Sequence, residues 1–188
     1  MKFFIKDEGK IKTDLYVRHE DNSLMYDVQL KGLTGNHISI FDAENAIEVA
    51  TIKKTGLHLL TRIELSVNGL STGTLEVAPE LATPKYTFNF NGWNIEGNLL
   101  SGKYNIINES GQVVANVIKV DSSIRDHCII DCINDTDVLS ISVIVIALNL
   151  FMVHQVEQTV RDRQHSTAVV NTAAAVSLAN NLNNMNFF

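Results

Sequence analysis

At 188 residues the chain has the length of one ordinary domain with a possible appendage, long enough to bury a full core. Its 45% apolar content is that of a soluble globular protein, and a dispersed net charge of −6 suits it poorly to a phosphate backbone, so no nucleic-acid partner is expected. Two cysteines, Cys128 and Cys132, give no disulfide framework, and Lys6 and Asp7 end the apolar run Phe3-Phe4-Ile5 far short of a secretory signal; a cytoplasmic chain is expected.

From residue 14 to about 132 the pattern is strand, turn, strand, repeated. In DLYVRHEDNSLMYDVQLKG (14–32) apolar residues alternate at Leu15 and Val17, then at Leu24, Tyr26, Val28 and Leu30, around the turn Glu20-Asp21-Asn22-Ser23. HISIFDAENAIEVATIKK (37–54) offers Ile38 and Ile40, then Ile47, Val49 and Thr51, around Asp42-Ala43-Glu44-Asn45. TRIELSVNGLSTGTLEV (61–77) has breaks at Asn68-Gly69 and Thr72-Gly73. In KYTFNFNGWNIEG (85–97) the Asn91-Gly92 pair signals a short hairpin, since both residues tolerate the positive φ of a type I′ turn. KYNIINESGQVVANVIKV (103–120) turns at Asn108-Glu109-Ser110-Gly111, and IRDHCIIDCI (124–133) closes the series. Pro79 and Pro84 bracket the longest loop, APELATP. Strand starts near 14, 37, 61, 85, 103 and 125 predict an antiparallel meander of about ten to twelve strands, large enough to curl or close upon itself.

The segment from Val138 to Val153 carries no charge. As a strand it would extend roughly 50 Å, well beyond ordinary strands, and as a helix roughly 24 Å. Asp135, Thr136 and Asp137 before it supply N-cap chemistry, so a helix over 137–153 is expected. Its apolar residues occupy every face, which suits only lipid or a protein interior. The run falls short of the roughly 20 residues a bilayer core needs, and its acidic N-terminal flank would send the preceding β-region across the membrane. The reading adopted is a core helix surrounded by the meander; the alternative is a membrane-inserted protein with 138–153 in lipid.

A many-stranded barrel closed around one C-terminal apolar helix resembles the Tubby C-terminal-like superfamily, and within it the LURP-one-related family and its short bacterial relatives. The resemblance rests on the hairpin series from Tyr16 to Ile133, EVATIKK at 48–54, TPKYTFNFNGWNIEGNLLSGKYNI at 83–106 and DVLSISVIVIALNLF at 137–151, and covers about residues 1–155. Bacterial members often read x-V-A-x-I-x-K-K followed later by I-x-G, which Ile95-Glu96-Gly97 fits. It implies a mainly β fold, a closed antiparallel barrel of about 12 strands around a central hydrophobic C-terminal helix. Tubby-like domains bind phosphoinositide head groups through basic residues, and phospholipid scramblases, similar in fold, act at membranes with calcium. By this resemblance the chain is expected to be a non-enzymatic binding or scaffold domain for an anionic lipid head group or a protein; a scramblase-like membrane protein is the alternative.

The candidate lipid-binding residues are Lys53 and Lys54, with Lys31 and Arg62 on neighbouring strand ends; the plainer reading is that such lysines solvate strand ends and block edge pairing. Cys128 and Cys132, four apart in a strand, share one face and read as buried small apolar residues rather than metal ligands. Asp131, Asp135 and Asp137 lack the Gly and terminal Glu of a calcium loop, so no metal or cofactor is expected. No nucleophile elbow, Walker loop or dinucleotide motif is present, and no enzyme activity is expected. The extension 156–188 carries a weak four-residue apolar period from Val170 to Leu182, then an Asn-rich end that reads as disordered; it is a candidate for docking a protein partner.

Overall fold

The computed structural model describes residues 1–7, 15–31, 36–55, 61–78, 85–99, 101–120 and 127–149. Two compact units divide the chain, Met1–Ala147 and Leu148–Phe188. The second contributes only Leu148 and Asn149 to the described residues, so the expected helix end at 153, the extension 156–188 and the proline-bracketed loop after Ala78 lie outside them.

Twelve strands follow in chain order: β1 (Lys2–Asp7), β2 (Leu15–His19), β3 (Leu24–Lys31), β4 (His37–Asp42), β5 (Glu48–Thr55), β6 (Thr61–Val67), β7 (Leu70–Ala78), β8 (Lys85–Phe90), β9 (Asn94–Asn98), β10 (Lys103–Ile107), β11 (Val113–Val120) and β12 (His127–Cys132). A 3-10 turn, Asp135–Asp137, leads into the helix α1 at 138–149. The sheet runs from β8 back through β1, then from β12 back to β9. It is a mainly β fold: a nearly closed, twelve-stranded antiparallel barrel with one C-terminal helix.

Closure depends on β1, which sequence periodicity alone left unassigned. Its apolar run is short, yet Phe3 pairs with Ile130 and Ile5 with Cys128 on one side, and with His19 and Val17 on the other. Chain start and last strand are thereby zipped together. Among the described residues the seam lies between β8 and β9, which meet in one bridge, Phe90–Trp93, beside their shared turn.

Alternation assigns the inner face. Phe3, Ile5, Val17, Val28, Ile38, Ile40, Ile63, Leu65, Leu75, Ile106, Val117 and Ile130 are all buried. Two sequence expectations are corrected here. In β5 the buried residues are Ala50 and Ile52; Val49 and Thr51 alternate on the other face, and Ile47, in the turn before the strand, is 59% exposed. Thr72-Gly73 does not end the strand but is an irregularity within β7, where the pairs Leu65–Gly73 and Ser66–Ser71 pass over Thr72. Gly73 lies opposite Phe90, and a Cβ there would collide first with the Asn89 carbonyl oxygen and then with Phe90 Cβ and Cδ2 at 2.8 Å, so the missing side chain is the space that the β8 backbone and ring need. Asn68-Gly69 and Asn91-Gly92 are the turns expected, with φ of 51° and 75°, and of 51° and 67°.

The helix is buried from Ile141 to Leu148: Ile141, Ser142, Val143, Ile144, Val145 and Ile146 are at 0% exposure and Ala147 at 1%. Seven consecutive residues make about two turns, so every face is covered. The one buried hydroxyl, Ser142 Oγ, donates to Val138 O at 2.7 Å. The acidic residues before α1 do not cap it as expected; Asn134 is the N-cap of the 3-10 turn without a side-chain cap bond, and Asp137 instead accepts from Asn134 Nδ2 at 3.2 Å.

Ile144→Ala should cost about 2–5 kcal/mol, and Gly73→Ala about 1–3 kcal/mol through overpacking against Phe90. Urea unfolding followed by circular dichroism measures both; Ile47→Ala, at an exposed position, serves as the near-neutral reference.

Candidate functional site

The candidate lysines and arginine fall on strands β3, β5 and β6, where parity decides which face each presents. Val28 on β3 and Ala50 and Ile52 on β5 face inward, so Lys31 and Lys53 face outward, while Lys54 shares the inward parity at the end of its strand. Sequence adjacency had joined Lys53 and Lys54 into one patch; in a strand, neighbours cannot share a face. Arg62 lies outward on β6 between two carboxylates, 3.9 Å from Glu64 and 3.6 Å from Glu76.

Between Lys31 and Lys53 stands a residue the sequence reading passed over. His37 on β4 pairs in register with Lys31 of β3 and with Lys53 of β5, forming a cross-strand row of three nitrogen-bearing side chains. The same outward face of β4 continues with Ser39 and Phe41, which the alternation in H-I-S-I-F would have disclosed. His37 Nε2 and Ser39 Oγ are buried and make no hydrogen bond within the described structure.

Lys31 covers this face. Its Nζ lies 2.9 Å from Glu48 Oε2 and 5.0 Å from the Phe41 ring centroid, so the side chain extends along β4 from the level of His37 to that of Phe41. Ser39 first, and Lys31 second, hold the Glu48 carboxyl below the usual carboxylate range. Ser39 does so from a geometry short of a full hydrogen bond. With both partners about two-fifths exposed, such an ion pair is worth at most about 1 kcal/mol. Lys31 is therefore held loosely enough to be taken by a stronger anion.

The remaining candidates lie elsewhere. Cys128 and Cys132 are buried on the inner face of β12, and burial pushes the Cys132 thiol up while its Sγ donates to Asn134 O at 2.8 Å. Tyr104, also inward, has a buried hydroxyl without a hydrogen-bond partner in the structure, and burial raises its pKa. Among the described residues, no three His, Cys, Asp or Glu side chains are grouped so as to hold a metal ion.

The sequence profile described as LURP-one-related matches residues 1–149, the barrel together with α1. The chain belongs to the LURP-one-related family. An X-ray structure of an Arabidopsis thaliana protein is similar in fold, at 13% identity and a TM-score of 0.52, covering 79% of this chain and 91% of the plant chain. No curated protein matches the chain in sequence. In this LURP-one-related barrel the row Lys31–His37–Lys53 is a feature of the outer wall, distinct from the packed interior that defines the fold.

Acid titration checks the electrostatics. The folded pKa of Glu48 lies below its unfolded value, so the stabilisation is present above the ordinary glutamate range and is lost as pH falls through the folded pKa. In carboxyl-detected NMR, Ser39→Ala and Lys31→Met should each move the Glu48 midpoint upward, and unchanged midpoints would refute the assignment.

Proposed function

We propose that the protein is a non-enzymatic binding domain whose outer β3–β5 wall receives an anionic head group between Lys31, His37 and Lys53. One observation carries the reading: three cationic or hydrogen-bonding side chains stand in register on adjacent strands, with the middle one's Nε2 unpaired. Adjacent strands are about 4.8 Å apart, so the outer two are separated by about 10 Å, a span that flexible lysine side chains close around a phosphate. Lys31 exchanges Glu48 for the phosphate at the small cost estimated for an exposed pair. The resemblance to Tubby-like and scramblase domains, which meet phospholipids, supports a lipid-borne head group as the ligand.

In this reading α1 fills the barrel as a central packing element, and the protein works in the cytoplasm or peripherally at a membrane face. A protein partner through the extension 156–188 is compatible with it. The membrane-inserted alternative finds no support in α1: Ile141 to Ala147 leave no exposed apolar surface for acyl chains, and no described helix is long and apolar enough to cross a membrane.

Vesicle flotation tests the proposal. Phosphatidylcholine vesicles doped with a phosphoinositide should carry the wild-type protein up the gradient, and undoped vesicles should not. Lys31→Ala/Lys53→Ala should lose most of that recovery, whereas Lys54→Ala should keep it. Equal recovery of wild type on both vesicle types, or of the double variant and wild type on the doped ones, refutes the proposal.

A further inference from the structure

Two polar atoms on the outer face of β4 are sealed from water and yet unbonded. Ser39 is 0% exposed with no partner for its Oγ, and His37 Nε2, two residues away on the same face, is buried without one. Unsatisfied groups of this kind cost folding free energy, so each calls for a reason. Their cross-strand neighbours do not supply the missing bonds. Gln29 and Thr51 flank Ser39 in register, but Gln29 Nε2 donates to Asp27 Oδ2 at 2.7 Å, which draws its amide along β3. Lys31, beside His37, is turned away to Glu48 and the Phe41 ring.

An anion of the chain itself already engages this face. Glu48 opens β5 level with Phe41, and its Oε2 accepts from Lys31 Nζ at 2.9 Å. Ser39 and Lys31, in that order, hold the carboxyl below its usual range, and His37 adds to them. The carboxylate thus draws on a lysine, a hydroxyl and an imidazole together, the groups a phosphate would use. It does not complete the set, because Ser39 Oγ and His37 Nε2 stay unbonded beneath the Lys31 side chain. A carboxylate offers two oxygens on a tether from β5, whereas a phosphate monoester offers three strong acceptor oxygens. His37 and Ser39 lie about 6.8 Å apart along β4. One phosphate between them reaches both with charge-assisted hydrogen bonds of about 2.8 Å.

We propose that Glu48 is an internal stand-in for the ligand's phosphate: it occupies Lys31 in the free protein and is displaced when a phosphate monoester enters beneath Lys31, onto Ser39 and His37. Glu48 and Ser39 thereby join the site of the head-group reading above, on which this assignment rests, as its competitor and its floor. Departure of Glu48 is easy. Its side chain is about two-fifths exposed, and rotamer changes of such residues take picoseconds to nanoseconds, so the competitor sets affinity rather than rate. An ion pair this exposed holds Lys31 by at most about fivefold. Repulsion between the carboxylate and the entering phosphate adds to that factor, and both disappear when Glu48 loses its charge.

The experiment titrates the full chain with soluble inositol trisphosphate and, in parallel, with phosphatidylcholine vesicles doped with a phosphoinositide. Glu48→Gln, which keeps the shape and removes the charge, should bind the soluble phosphate about five- to tenfold more tightly than wild type. Glu109→Gln, the same charge change on the β10–β11 turn, should bind as wild type does. Ser39→Ala added to Glu48→Gln should weaken binding about tenfold, the loss of one hydrogen bond to a charged group. Wild-type amide shifts outside β3–β5 establish that each variant is folded. Tightening in both arms supports the assignment, and the arm with the higher affinity names the source of the phosphate, lipid-borne or free. The proposal is overturned if Glu48→Gln binds no tighter than wild type, or if Glu109→Gln tightens binding equally. It is also overturned if the gain appears on vesicles alone, or if Ser39→Ala/Glu48→Gln binds as tightly as Glu48→Gln. Those outcomes leave the head-group reading standing, since wild type still binds; wild type and Glu48→Gln that bind neither probe sink both together.

Discussion

A helix that is apolar on every side has no stable position in water, and the rest of this fold answers to that constraint. Ile141, Val143, Ile144, Val145 and Ile146 are fully buried, and at roughly 1.5–3 kcal/mol each their burial is on the order of 10 kcal/mol. That is comparable with the whole net stability of an ordinary domain. No single amphipathic neighbour could cover two full turns of helix on all sides. A sheet that curls until its first and last strands pair has an inner face of the required extent, and its alternation places Ile, Val, Leu and Phe there in register.

Closure joins the two extremes of the barrel sequence. β1 and β12 are the most distant strands in the chain, yet Phe3–Ile130 and Ile5–Cys128 are cross-strand pairs on the inner face. Loop closure over that separation is entropically expensive, so β1 pairing should come after the local hairpins rather than before them. The seam falls instead between β8 and β9, strands that are neighbours in sequence. Their tight Asn91-Gly92 turn and the Phe90–Trp93 contact, with ring centroids 5.9 Å apart, hold them together at one corner only.

Much of this was legible in the residues, and the exceptions have identifiable causes. The hairpins followed from period-two alternation and Asn-Gly turns, both local signals. β1 was missed because a six-residue strand is recognised by its partners, 2–131 and 6–127, which no local window contains. The phase of β5 was misread because Val49-Thr51 and Ala50-Ile52 alternate equally well, and composition alone does not say which pair faces the core. Gly73 resembled a turn residue because the ring occupying its space belongs to β8. At the candidate site the lysines were visible, but His37 was not; its significance lies in register with two other strands, and register is a property of the assembled sheet.

The same topology accounts for the polarity of the surface. Alternate connections of a meander sort to opposite ends, so the acidic turns gather at one end of the barrel, where Lys31, Lys6, Arg18 and the Met1 ammonium reach them from the strands. Turns that need Asx geometry recruit Asp and Asn, as Asp42 does by accepting from the amides of Glu44 and Asn45 at 3.0 and 3.2 Å. Strand ends at the other side gain lysines that keep the sheet soluble. The acidic turns are therefore partly the chemistry of turning, and charge alone would not argue for a partner. Leu70 and Ile47 are different: a two-residue hairpin or an Asx turn is better served by polar tips, and neither side chain stabilises its own turn by lying in water.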